Sequence, residues 1–594
     1  MIQTACPLDC YDACKILVDP KNPNRLMGAP HPYTKGWLCA HLNCHFFEAK
    51  RITKPKVNGK EVSLDEALDV VADALKKKWL LWRGSGNLAL MQEVTNLLAK
   101  KANGVITRGS LCDGAGDAGI IEGRGVNKLL SPHQIAKADV VIIWGRNVTE
   151  TSPHLVDFIK DKKIVVIDPR KIPITKNAIL HLQVKPRSDF YLAMLLARFL
   201  IMEGAENSTW LEEFASEWED FYDFTRTFRI KAILEHIGIS LDDLGDLLLL
   251  LQEEKIVFLV GAGVQRNCIG NMTLRAIDGV AAILGLFGKE GCGVSYLSNS
   301  KLGLKNPFEV RVKSEPKAAT PFANYESVLI QGGNPAHSMP NSNEVVKQLK
   351  EVQNLIYFGL YENETSALSN IIIPAKSFLE KEDVRLSYGH EYMLPMHKVY
   401  ESDIGISEYE FTQEILKRLN LEPIESESFY IEYFLKQAKK EKEHLLNPGF
   451  EELPYHEGFG EDGDEEFEFI DDFYDDFEDI KALRRFRKKL KKEESKTFYL
   501  LTPKSKKSLN SQFAPREVLV FFHEDAGFEE GQRVLVCSEY GKLDAIVAID
   551  NNLRCDVALI YSYTKGVNKL TPSHLSDEGE NACYGDVKVK IFTI

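Results

Sequence analysis

Residues 139–145 read DVVIIWG, residues 163–169 read KIVVIDP and residues 255–263 read KIVFLVGAG. Each is a short, continuous apolar run that ends at glycine or proline, and stretches with a helical pattern separate the runs. Strands that are apolar throughout are buried on both faces, which is typical of a parallel sheet covered by helices. The alternation predicts a doubly wound α/β unit.

A second unit of the same kind is indicated by SVLIQGG at 327–333 and by the apolar run at 355–360, with a helical pattern at 343–350 between them. Nearer the start of the chain, residues 62–75 (VSLDEALDVVADAL) carry apolar residues at helical spacing behind Ser63 and Glu66. This pattern predicts an amphipathic helix with a capping box at its start. Another helix is predicted over residues 89–101.

Turns rich in glycine and polar residues follow these predicted strands at 145–151, 168–170, 261–266 and 332–335. The carboxyl ends of parallel strands are where nucleotides and their phosphates usually bind. One such turn alone is more often a simple tight turn. Four of them, distributed over two α/β units, favour nucleotide binding.

Cysteines near the start of the chain have the pattern C-x3-C-x3-C-x24-C, formed by Cys6, Cys10, Cys14 and Cys39. Thiolates are soft ligands that suit either a tetrahedral zinc ion or a 4Fe-4S cluster. Structural zinc sites usually show two closely spaced pairs, whereas here a trio is followed by a distant fourth cysteine. The spacing favours a cluster, with zinc as the alternative.

The composition changes at residues 445–496, where acidic and aromatic residues alternate before a run of lysines and arginines. The favoured interpretation is a solvated, partly helical insertion whose acidic half pairs with its basic half. The alternative is a docking segment for a protein partner. From 497 to 594, short β-rich runs at 517–522, 531–538 and 586–592 predict a small β-barrel or sandwich.

Length and charge exclude several classes of protein. A chain of 594 residues is long enough for several domains, and its net charge of −14 argues against nucleic acid as the main partner. Apolar runs such as 247–251 are too short to span a bilayer. No signal-peptide pattern precedes Cys6 and the remaining cysteines are scattered, so we expect a cytoplasmic protein with reduced thiols.

Several motifs taken together resemble the dimethyl sulfoxide reductase family of molybdopterin oxidoreductases. The motifs that carry the resemblance, in chain order, are CPLDCYDAC (6–14), HPYTKGWLC (31–39), SLDEALDVVADAL (63–75), RGSLCDGAG (108–116), VVIIWGRNVTETSPH (140–154), VVIDPR (165–170), GAGVQRN (261–267), GGNP (332–335), LEKEDVRLSYGH (379–390), NSQF (510–513) and VNKLTPSHLSDEG (567–579). They extend through nearly the whole chain.

The resemblance implies an α/β, multidomain protein with a small N-terminal iron-sulfur domain, two doubly wound α/β domains and a C-terminal β-barrel. The corresponding boundaries are 1–54 for the iron-sulfur domain, 55–111 with 326–444 for a discontinuous α/β domain, 112–325 for the dinucleotide-binding domain, 445–496 for the charged insertion, and 497–594 for the barrel that binds molybdopterin dinucleotide.

The implied cofactors are one 4Fe-4S cluster and a bis(molybdopterin guanine dinucleotide) holding molybdenum or tungsten. The cluster ligands would be Cys6, Cys10, Cys14 and Cys39, and the position that matches the family's metal ligand is Cys112. Asp113 stands where formate-oxidising relatives have a histidine, and it is a candidate proton acceptor. The residues that match cofactor-binding positions are His41, Gly145, Asn147, Thr151, Asp168, Arg170, Gly261, Gly263, Gln265, Asn510, Ser511, Asn568 and Asp577.

The chain departs from the family pattern at a few positions. His41 replaces the usual lysine two residues after the fourth cysteine, and Arg187 replaces a glycine in the usual PGTD turn. Where an Ala-Asp pair is expected, the chain has Ala178-Ile179 and Ser369-Asn370. A neutral imidazole does not supply the fixed positive charge of a lysine.

The first hypothesis is a molybdenum or tungsten oxidoreductase that passes two electrons between a small-molecule substrate and the cluster, with an iron-sulfur protein as electron partner. Nitrate, formate, sulfur compounds or a hydration reaction are all compatible with a cysteine ligand. A second hypothesis is a degenerate relative that keeps the cluster as an electron-transfer or scaffold element and binds no pterin. A third is a zinc-stapled binding protein.

Overall fold

The computed structural model describes residues 1–42, 46–47, 49–297, 300–470, 497–512 and 517–594. The first part of the chain forms a small antiparallel sheet and then enters a larger sheet. Its elements are β1 (Ile2–Ala5), β2 (Lys15–Asp19), β3 (Asn22–Gly28), β4 (Lys56–Val57), β5 (Lys60–Glu61), α1 (Leu64–Leu75), β6 (Trp79–Arg83), α2 (Thr95–Lys101) and β7 (Val105–Arg108).

The next part contains the strands first predicted from the sequence. Its elements are α3 (Gly114–Arg124), α4 (Pro132–Ile135), β8 (Val140–Trp144), α5 (Val148–Thr151), α6 (Val156–Ile159), β9 (Lys163–Ile167), β10 (Leu180–Leu182), α7 (Asp189–Met202), α8 (Ser208–Phe214), β11 (Ala215–Ser216), α9 (Trp218–Arg226), α10 (Ile230–Ile237), α11 (Leu241–Leu250), β12 (Ile256–Val260), α12 (Gly270–Ile283) and β13 (Gly293–Ser295).

The chain then returns to the larger sheet and ends in a barrel. These elements are β14 (Ser314–Pro316), β15 (Ser327–Gln331), α13 (Pro335–Ser338), α14 (Ser342–Glu351), β16 (Asn354–Gly359), β17 (Ile371–Pro374), β18 (Asp383–Leu386), β19 (Tyr392–Met396), α15 (Glu408–Arg418), α16 (Glu427–Leu435), β20 (Lys439–Glu441), β21 (His444–Leu446), β22 (Phe467–Glu468), β23 (Thr497–Leu501), β24 (Leu519–Phe522), β25 (Arg533–Cys537), β26 (Lys542–Ile549), β27 (Val557–Leu559) and β28 (Lys588–Thr593).

A five-stranded parallel sheet with the order β10-β9-β8-β12-β13 forms the first α/β unit. Both of its faces are buried, because successive residues of β8 enter different cores. Val140 and Ile142 pack in one core and Val141 and Ile143 in the other. The predicted doubly wound unit is therefore confirmed.

The second α/β unit is built on an eight-stranded sheet with the order β14-β7-β6-β15-β16-β17-β4-β5. Its central strands β6, β15, β16 and β17 are parallel, and the β4-β5 hairpin is added antiparallel at one edge. Its strands come from residues 56–108 and 314–374, so the chain leaves this sheet, forms the five-stranded sheet and returns. The expected class, with two doubly wound units, holds, whereas the boundaries between domains remain predictions.

Helix α1 begins behind Ser63 as predicted, and half of the predicted capping box is present: Ser63 Oγ accepts a hydrogen bond from the backbone N–H of Glu66 at 3.2 Å, whereas the structure gives no return bond from the Glu66 side chain. The helix predicted over residues 89–101 is split. Residues 90–94 form a 3-10 turn and α2 covers Thr95–Lys101. The backbone N–H of Met91 donates to the Asp383 carboxylate at 2.8 Å, so this turn is shaped by a distant strand.

The C-terminal strands form a closed barrel with the order β23-β27-β24-β26-β25-β28, and β28 pairs with β23 to close it. The predicted barrel is thus confirmed. Every helix in the described part of the chain is too short or too polar to cross a lipid bilayer.

The described part of the charged segment, up to residue 470, belongs to the fold. Phe467 and Phe469 are fully buried and pack with Phe221 and Phe287, and β22 pairs with β11. Neither a solvated insertion nor a docking segment describes these two aromatic residues, because they complete the core of the five-stranded unit. The rest of the segment, 471–496, lies outside the described residues.

Candidate functional site

The first three cysteines of the N-terminal motif lie on a loop between β1 and β2. The backbone N–H of Cys6 donates to the carbonyl oxygen of Cys14 at 2.9 Å, which closes the loop. Cys39 arrives from a turn in which Gly36 has a φ of +83°, and a Cβ on Gly28 would lie 2.2 Å from the Gly36 oxygen. The end of β3 and this turn therefore meet so closely that Gly28 has no room for a side chain.

The four thiols are close enough that the charge on one raises the pKa of another. Burial, together with the nearby Cys39 thiol, raises the pKa of Cys6 to about 12. Burial and the neighbouring sulfur atoms also raise the pKa values of Cys10 and Cys14. Buried thiols with raised pKa values lose their protons more easily when a cationic centre stabilises the thiolates, so these four are suited to bind such a centre.

The cysteine loop is held by a strand almost 380 residues away in sequence. Arg385 in β18 is buried and donates hydrogen bonds to the carbonyl oxygens of Cys6 at 3.2 Å, Leu8 at 3.2 Å and Cys10 at 3.4 Å. Ser387 Oγ donates to the Tyr11 carbonyl at 2.6 Å, and His390 Nε2 lies 2.8 Å from the Asp12 oxygen. The motif LEKEDVRLSYGH thus acts as a brace for the motif CPLDCYDAC.

A buried histidine lies directly beside this loop. His154 Nδ1 is 2.7 Å from Asp12 Oδ2, and its Nε2 is 3.9 Å from Cys14 Sγ and 3.2 Å from the Trp37 oxygen. Its ring stacks on Trp37 with the centroids 3.6 Å apart. His41 occupies a comparable position, with Nδ1 3.9 Å from Cys39 Sγ. Two imidazoles therefore flank the sulfur atoms.

Cys112 lies on the loop between β7 and α3, at the wall of a large cavity between the two α/β units, the cysteine loop and the barrel. The void measures about 2080 Å³, open solvent at its mouth included. Pro7, Leu8 and Asp9 from the cysteine loop also line it. The structure therefore brings Cys112 and the N-terminal motif to the same cavity.

Gln265, in the turn that follows β12, fixes the loop that carries Cys112. Its side chain is fully buried, donates to the Cys112 carbonyl oxygen at 2.5 Å, and accepts from the Gly116 N–H at 2.9 Å. Both ends of the amide are therefore occupied by the backbone around Cys112. Gln265, predicted from the sequence as a cofactor-binding residue, therefore positions the Cys112 loop through these two contacts.

The cavity is strongly basic in a chain that is acidic overall. It is lined by seven lysines and arginines but three acidic residues. The basic residues are Lys50, Arg83, Arg266, Lys317, Lys376, Lys381 and Lys504, and the acidic ones are Asp9, Glu362 and Glu408. Positive charge concentrated in a cleft favours an anionic ligand.

One of these basic residues, Lys504 of the barrel, lies close to both the cysteine loop and the Cys112 loop. Lys504 Nζ from the barrel is 3.7 Å from Asp9 Oδ2, which also accepts a hydrogen bond from Asn510 at 2.9 Å. Burial opposes the charging of Lys504, but Asp9 and Cys112 raise its pKa overall. Burial raises the pKa of Cys112, and Lys504 acts to lower it. The lysine is therefore placed to stabilise a thiolate at Cys112.

Asp113 directly follows Cys112, but it is not among the residues that line the cavity. Its carbonyl oxygen accepts from the N–H of Asp117 at 3.0 Å, in the first turn of α3. Burial raises the pKa of its carboxyl group. Its predicted role as a proton acceptor stays a prediction.

The glycine turns of the five-stranded sheet meet at the carboxyl ends of β8 and β12. A Cβ on Gly261 would lie 2.3 Å from the Gly145 oxygen, and one on Gly263 would lie 2.7 Å from it. Gly145 itself has a φ of +58°. All three positions therefore need glycine for the strand ends to approach.

The polar residues of these turns mostly organise the local backbone. Thr151 Oγ1 donates to the carbonyl oxygen of Asn147 at 3.0 Å, and the N–H of Arg170 donates to Asp168 Oδ1 at 2.9 Å. Burial raises the pKa of Asp168 to about 7. Arg170 also pairs with Asp550 of the barrel at 2.9 Å, so this strand end faces the C-terminal unit.

Three of the barrel residues predicted from the sequence line the cavity: Asn510, Ser511 and Asn568. Asn568 Nδ2 donates to the His337 carbonyl oxygen at 2.7 Å. Asp577 is not among the lining residues, and its backbone N–H donates to the Cys268 oxygen at 2.9 Å. The structure thus brings together Cys112 and three barrel positions, whereas Asp577 lies at the junction behind the GAGVQR turn.

Sequence reasoning did not identify Arg385, His154 or the basic residues Arg83, Lys317 and Lys504. Arg385 and His154 stand inside the motifs VRLSYGH and TSPH, so the motifs themselves were the signal. Lys317 carries no such signal. Its pKa is lowered to about 8 because it is buried and close to Arg83, and only the tertiary structure shows this.

Comparisons with known proteins agree with this arrangement. The family model described as molybdopterin oxidoreductase matches residues 51–405. A Bacillus subtilis (strain 168) protein named "Probable oxidoreductase YyaE" is 26% identical over 508 residues, which cover 75% of this chain and 74% of that protein. The assimilatory nitrate reductase catalytic subunit of the same organism is 25% identical and covers 64% of this chain and 63% of its own length.

The fold is also found in a solved structure. Acetylene hydratase from Pelobacter acetylenicus superposes with a TM-score of 0.76 over 100% of both chains, at 15% sequence identity. The family match extends over more than half of the chain and includes the Cys112 loop, the glycine turns and β18. The chain therefore belongs to the molybdopterin oxidoreductase family, whose members are enzymes with a molybdenum or tungsten pterin cofactor.

Proposed function

We propose that this protein is an oxidoreductase that passes two electrons between a small substrate at Cys112 and a 4Fe-4S cluster held by Cys6, Cys10, Cys14 and Cys39. We further propose that its pterin is a bis guanine dinucleotide and that an iron-sulfur protein exchanges the electrons. The observation that carries the proposal is the basic cavity, whose wall includes both Cys112 and the cysteine-loop residues Pro7 to Asp9.

The positions of the four sulfur atoms support a cluster rather than zinc. Among the described residues, the group of three or more metal-ligand atoms within 4.8 Å of one another is His574, Cys583 and Asp586, and it includes none of the four cysteines. Sulfur atoms that share one tetrahedral zinc ion at about 2.3 Å would lie roughly 3.8 Å apart. A cluster of four iron atoms separates its ligands more widely, so it does not require three of these sulfur atoms to lie within 4.8 Å of one another.

The residues around the cavity fit an anionic dinucleotide. Lys317 and Arg83 are at the wall formed by the eight-stranded sheet, and Arg266 follows the GAGVQ turn of the other sheet. Guanidinium and ammonium groups bind phosphate oxygens through charge-assisted hydrogen bonds. Arg266 Nε, a buried polar atom with no partner among the described residues, provides a further donor at this wall.

When bound, the pterin and its metal supply the two-electron chemistry. The chain's own residues would bind this cofactor and orient it. Cys112 presents its thiol to the cavity, Gln265 fixes the loop that carries it, and Lys504 favours the charged thiolate. Asn510 donates a hydrogen bond to Asp9 and so joins the barrel to the cysteine loop at the wall of the cavity.

The proposal is tested by elemental analysis of anaerobically purified protein together with the guanine nucleotide released on denaturation. We expect about four iron atoms, one molybdenum or tungsten atom and two guanine nucleotides per chain. Iron without molybdenum, tungsten or guanine nucleotide, after expression in a host that makes the cofactor, would contradict it. That outcome would favour the pterin-free electron-transfer or scaffold hypothesis.

Cys112→Ala tests the assigned ligand. X-ray absorption at the molybdenum or tungsten edge should show one sulfur ligand fewer than in the wild type, while the iron content stays the same. The matched control is Cys537→Ala, a partly buried cysteine in the barrel. Dye-linked assays with nitrate and with formate then test small anions as substrates, which suits the basic cavity and the named function of the nitrate reductase relative.

A further inference from the structure

Three metal-ligand side chains converge outside the cavity just described. His574, Cys583 and Asp586 each place one ligand atom within 4.8 Å of the other two. None of them is among the residues that line the cavity of Cys112. They lie on the segment that leads into the last strand of the barrel, β28.

The carboxylate at the centre of this group is held in place by two other contacts. The side chain of Asp586 is 4% exposed and its Oδ1 lies 2.8 Å from Arg187 Nε. Its Oδ2 accepts from the backbone N–H of Cys268 at 2.8 Å and lies 3.1 Å from His574 Nε2. A side chain fixed in this way loses little conformational freedom when it binds a metal ion.

The proposed ligands differ in their exposure to solvent. Cys583 is fully buried, whereas the side chain of His574 is 44% exposed and lies on the solvent side. A metal ion could therefore enter past His574 and reach a buried thiol. The combination of an imidazole, a thiol and a carboxylate is a donor set for a borderline metal ion and is unsuited to calcium or magnesium, which prefer oxygen ligands only.

The group lies where the barrel meets the chain segment that follows β12. The backbone N–H of Gly585 donates to the Arg266 oxygen at 2.8 Å, and that of Asp577 donates to the Cys268 oxygen at 2.9 Å. The Cys268 thiol is close to Asp586 and to Cys583, so a fourth side chain that can bind a metal stands beside the group.

We propose that His574, Cys583 and Asp586 bind a structural zinc ion, with Cys268 as a candidate for the fourth ligand. The zinc ion clamps the barrel to the segment 266–268, directly after the GAGVQ turn. Zinc is the commonest ion with tetrahedral coordination by sulfur and nitrogen ligands. The proposal does not depend on a pterin, because none of these side chains lines the cavity of Cys112.

The test is the zinc content of the full-length protein, purified anaerobically and dialysed against a weak chelator. We expect about one zinc atom per chain, with zinc-edge absorption showing one or two Zn–S contacts at about 2.3 Å. His574→Ala and Cys583→Ser should each reduce the retained zinc at least tenfold. The matched control Cys555→Ser removes an exposed cysteine of the same barrel and should keep the zinc.

His574 is largely exposed, so its replacement keeps the test meaningful if Cys583→Ser does not fold. Iron content, measured on the same samples, reports whether each variant has folded. Zinc absent from the wild type, or equal in the wild type and His574→Ala, would overturn the proposal. Zinc with four sulfur ligands that survives both substitutions would place the ion at the N-terminal cysteines and overturn it as well.

Discussion

At the scale of single residues, Arg385 connects the two motifs on which the N-terminal site depends. Its guanidinium donates to the carbonyl oxygens of Cys6, Leu8 and Cys10, and it is 1% exposed. Backbone oxygens buried without a donor are costly, because folding removes them from water. The arginine therefore compensates for the irregular backbone that the cysteine spacing imposes.

We predict that Arg385→Met lowers the free energy of unfolding by about 3 kcal/mol or more, since it leaves several buried carbonyl oxygens unpaired. The cysteine loop should lose its shape, and iron per chain should fall with it. Thermal unfolding and iron analysis measure both effects. Arg25→Met, at an exposed position on β3 of the same small sheet, is the control and should change neither. Unchanged iron in Arg385→Met would show that the brace is dispensable.

Asp383, two residues earlier on the same strand, predicts a pH dependence. It is 1% exposed, and burial raises the pKa of its carboxyl group to about 7. In the unfolded chain the value is about 4. Between these values the folded protein holds a proton that the unfolded chain has lost, so stability falls as the pH rises from about 4 to 7, by at most roughly 1.4 kcal/mol per pH unit.

Asp383→Asn should remove this dependence, because the amide does not ionise. We expect the melting temperature of the variant, relative to the wild type, to be higher at pH 8 than at pH 5. The exposed position Asp462→Asn is the control and should give the same difference at both pH values. An identical offset at both pH values for Asp383→Asn would rule out a proton on this carboxyl group.

At the scale of elements, the position of Cys112 depends on how α3 crosses α12. A Cβ on Gly119 would lie 2.0 Å from the backbone oxygen of Asn271, and the buried pair Arg124 and Asp278 joins the same two helices. The close crossing fixes the axis of α3, and the Cys112 loop leads directly into that helix.

Gly119→Ala should therefore push the helices apart, cost about 1–3 kcal/mol of stability and displace the Cys112 loop. The expected signature is a loss of molybdenum or tungsten with iron retained. Gly245→Ala is the matched control, since a Cβ there meets no atom within 4 Å. That variant should be as stable as the wild type or slightly more so, by about 0.5–1 kcal/mol. Equal metal content in both variants would contradict the argument.

The elements also show which features the sequence could predict. Strands β8, β9 and β12, helix α1 and the barrel follow from local periodicity, because apolar spacing and caps act over a few residues. The cysteines and Cys112 were found through spacing and resemblance. Arg385, Lys317 and the burial of Phe467 were not predicted, because their partners are hundreds of residues away or depend on how two units pack.

At the scale of the whole molecule, charge is divided between the surface and the cavity. The chain carries a net charge of −14, yet seven basic residues line the cavity against three acidic ones. The barrel contributes one of those cations, Lys504, and it also contributes Asn510 and Ser511. The cavity is therefore complete only when the barrel lies against the five-stranded unit.

Two side-chain contacts help to fasten the barrel at the end of the five-stranded sheet, beside a backbone hydrogen bond from the N–H of Lys171 to the Asn552 oxygen. Asp550 pairs with Arg170 at 2.9 Å, and Arg554 Nη1 donates to the Gln183 carbonyl oxygen at 2.6 Å. We predict that Asp550→Asn combined with Arg554→Met weakens this docking while the barrel keeps its own core of Val520, Val534 and related residues. Because the barrel forms one wall of the cavity, the bound pterin should dissociate faster, and molybdenum or tungsten should fall relative to iron after repeated gel filtration. Hydrogen exchange at residues 502–512 should accelerate in parallel.

Arg533→Met, at an exposed position on β25, is the control and should match the wild type. If the metal ratio is unchanged while exchange accelerates, the cofactor is held by the α/β units alone and the barrel is not needed to retain it.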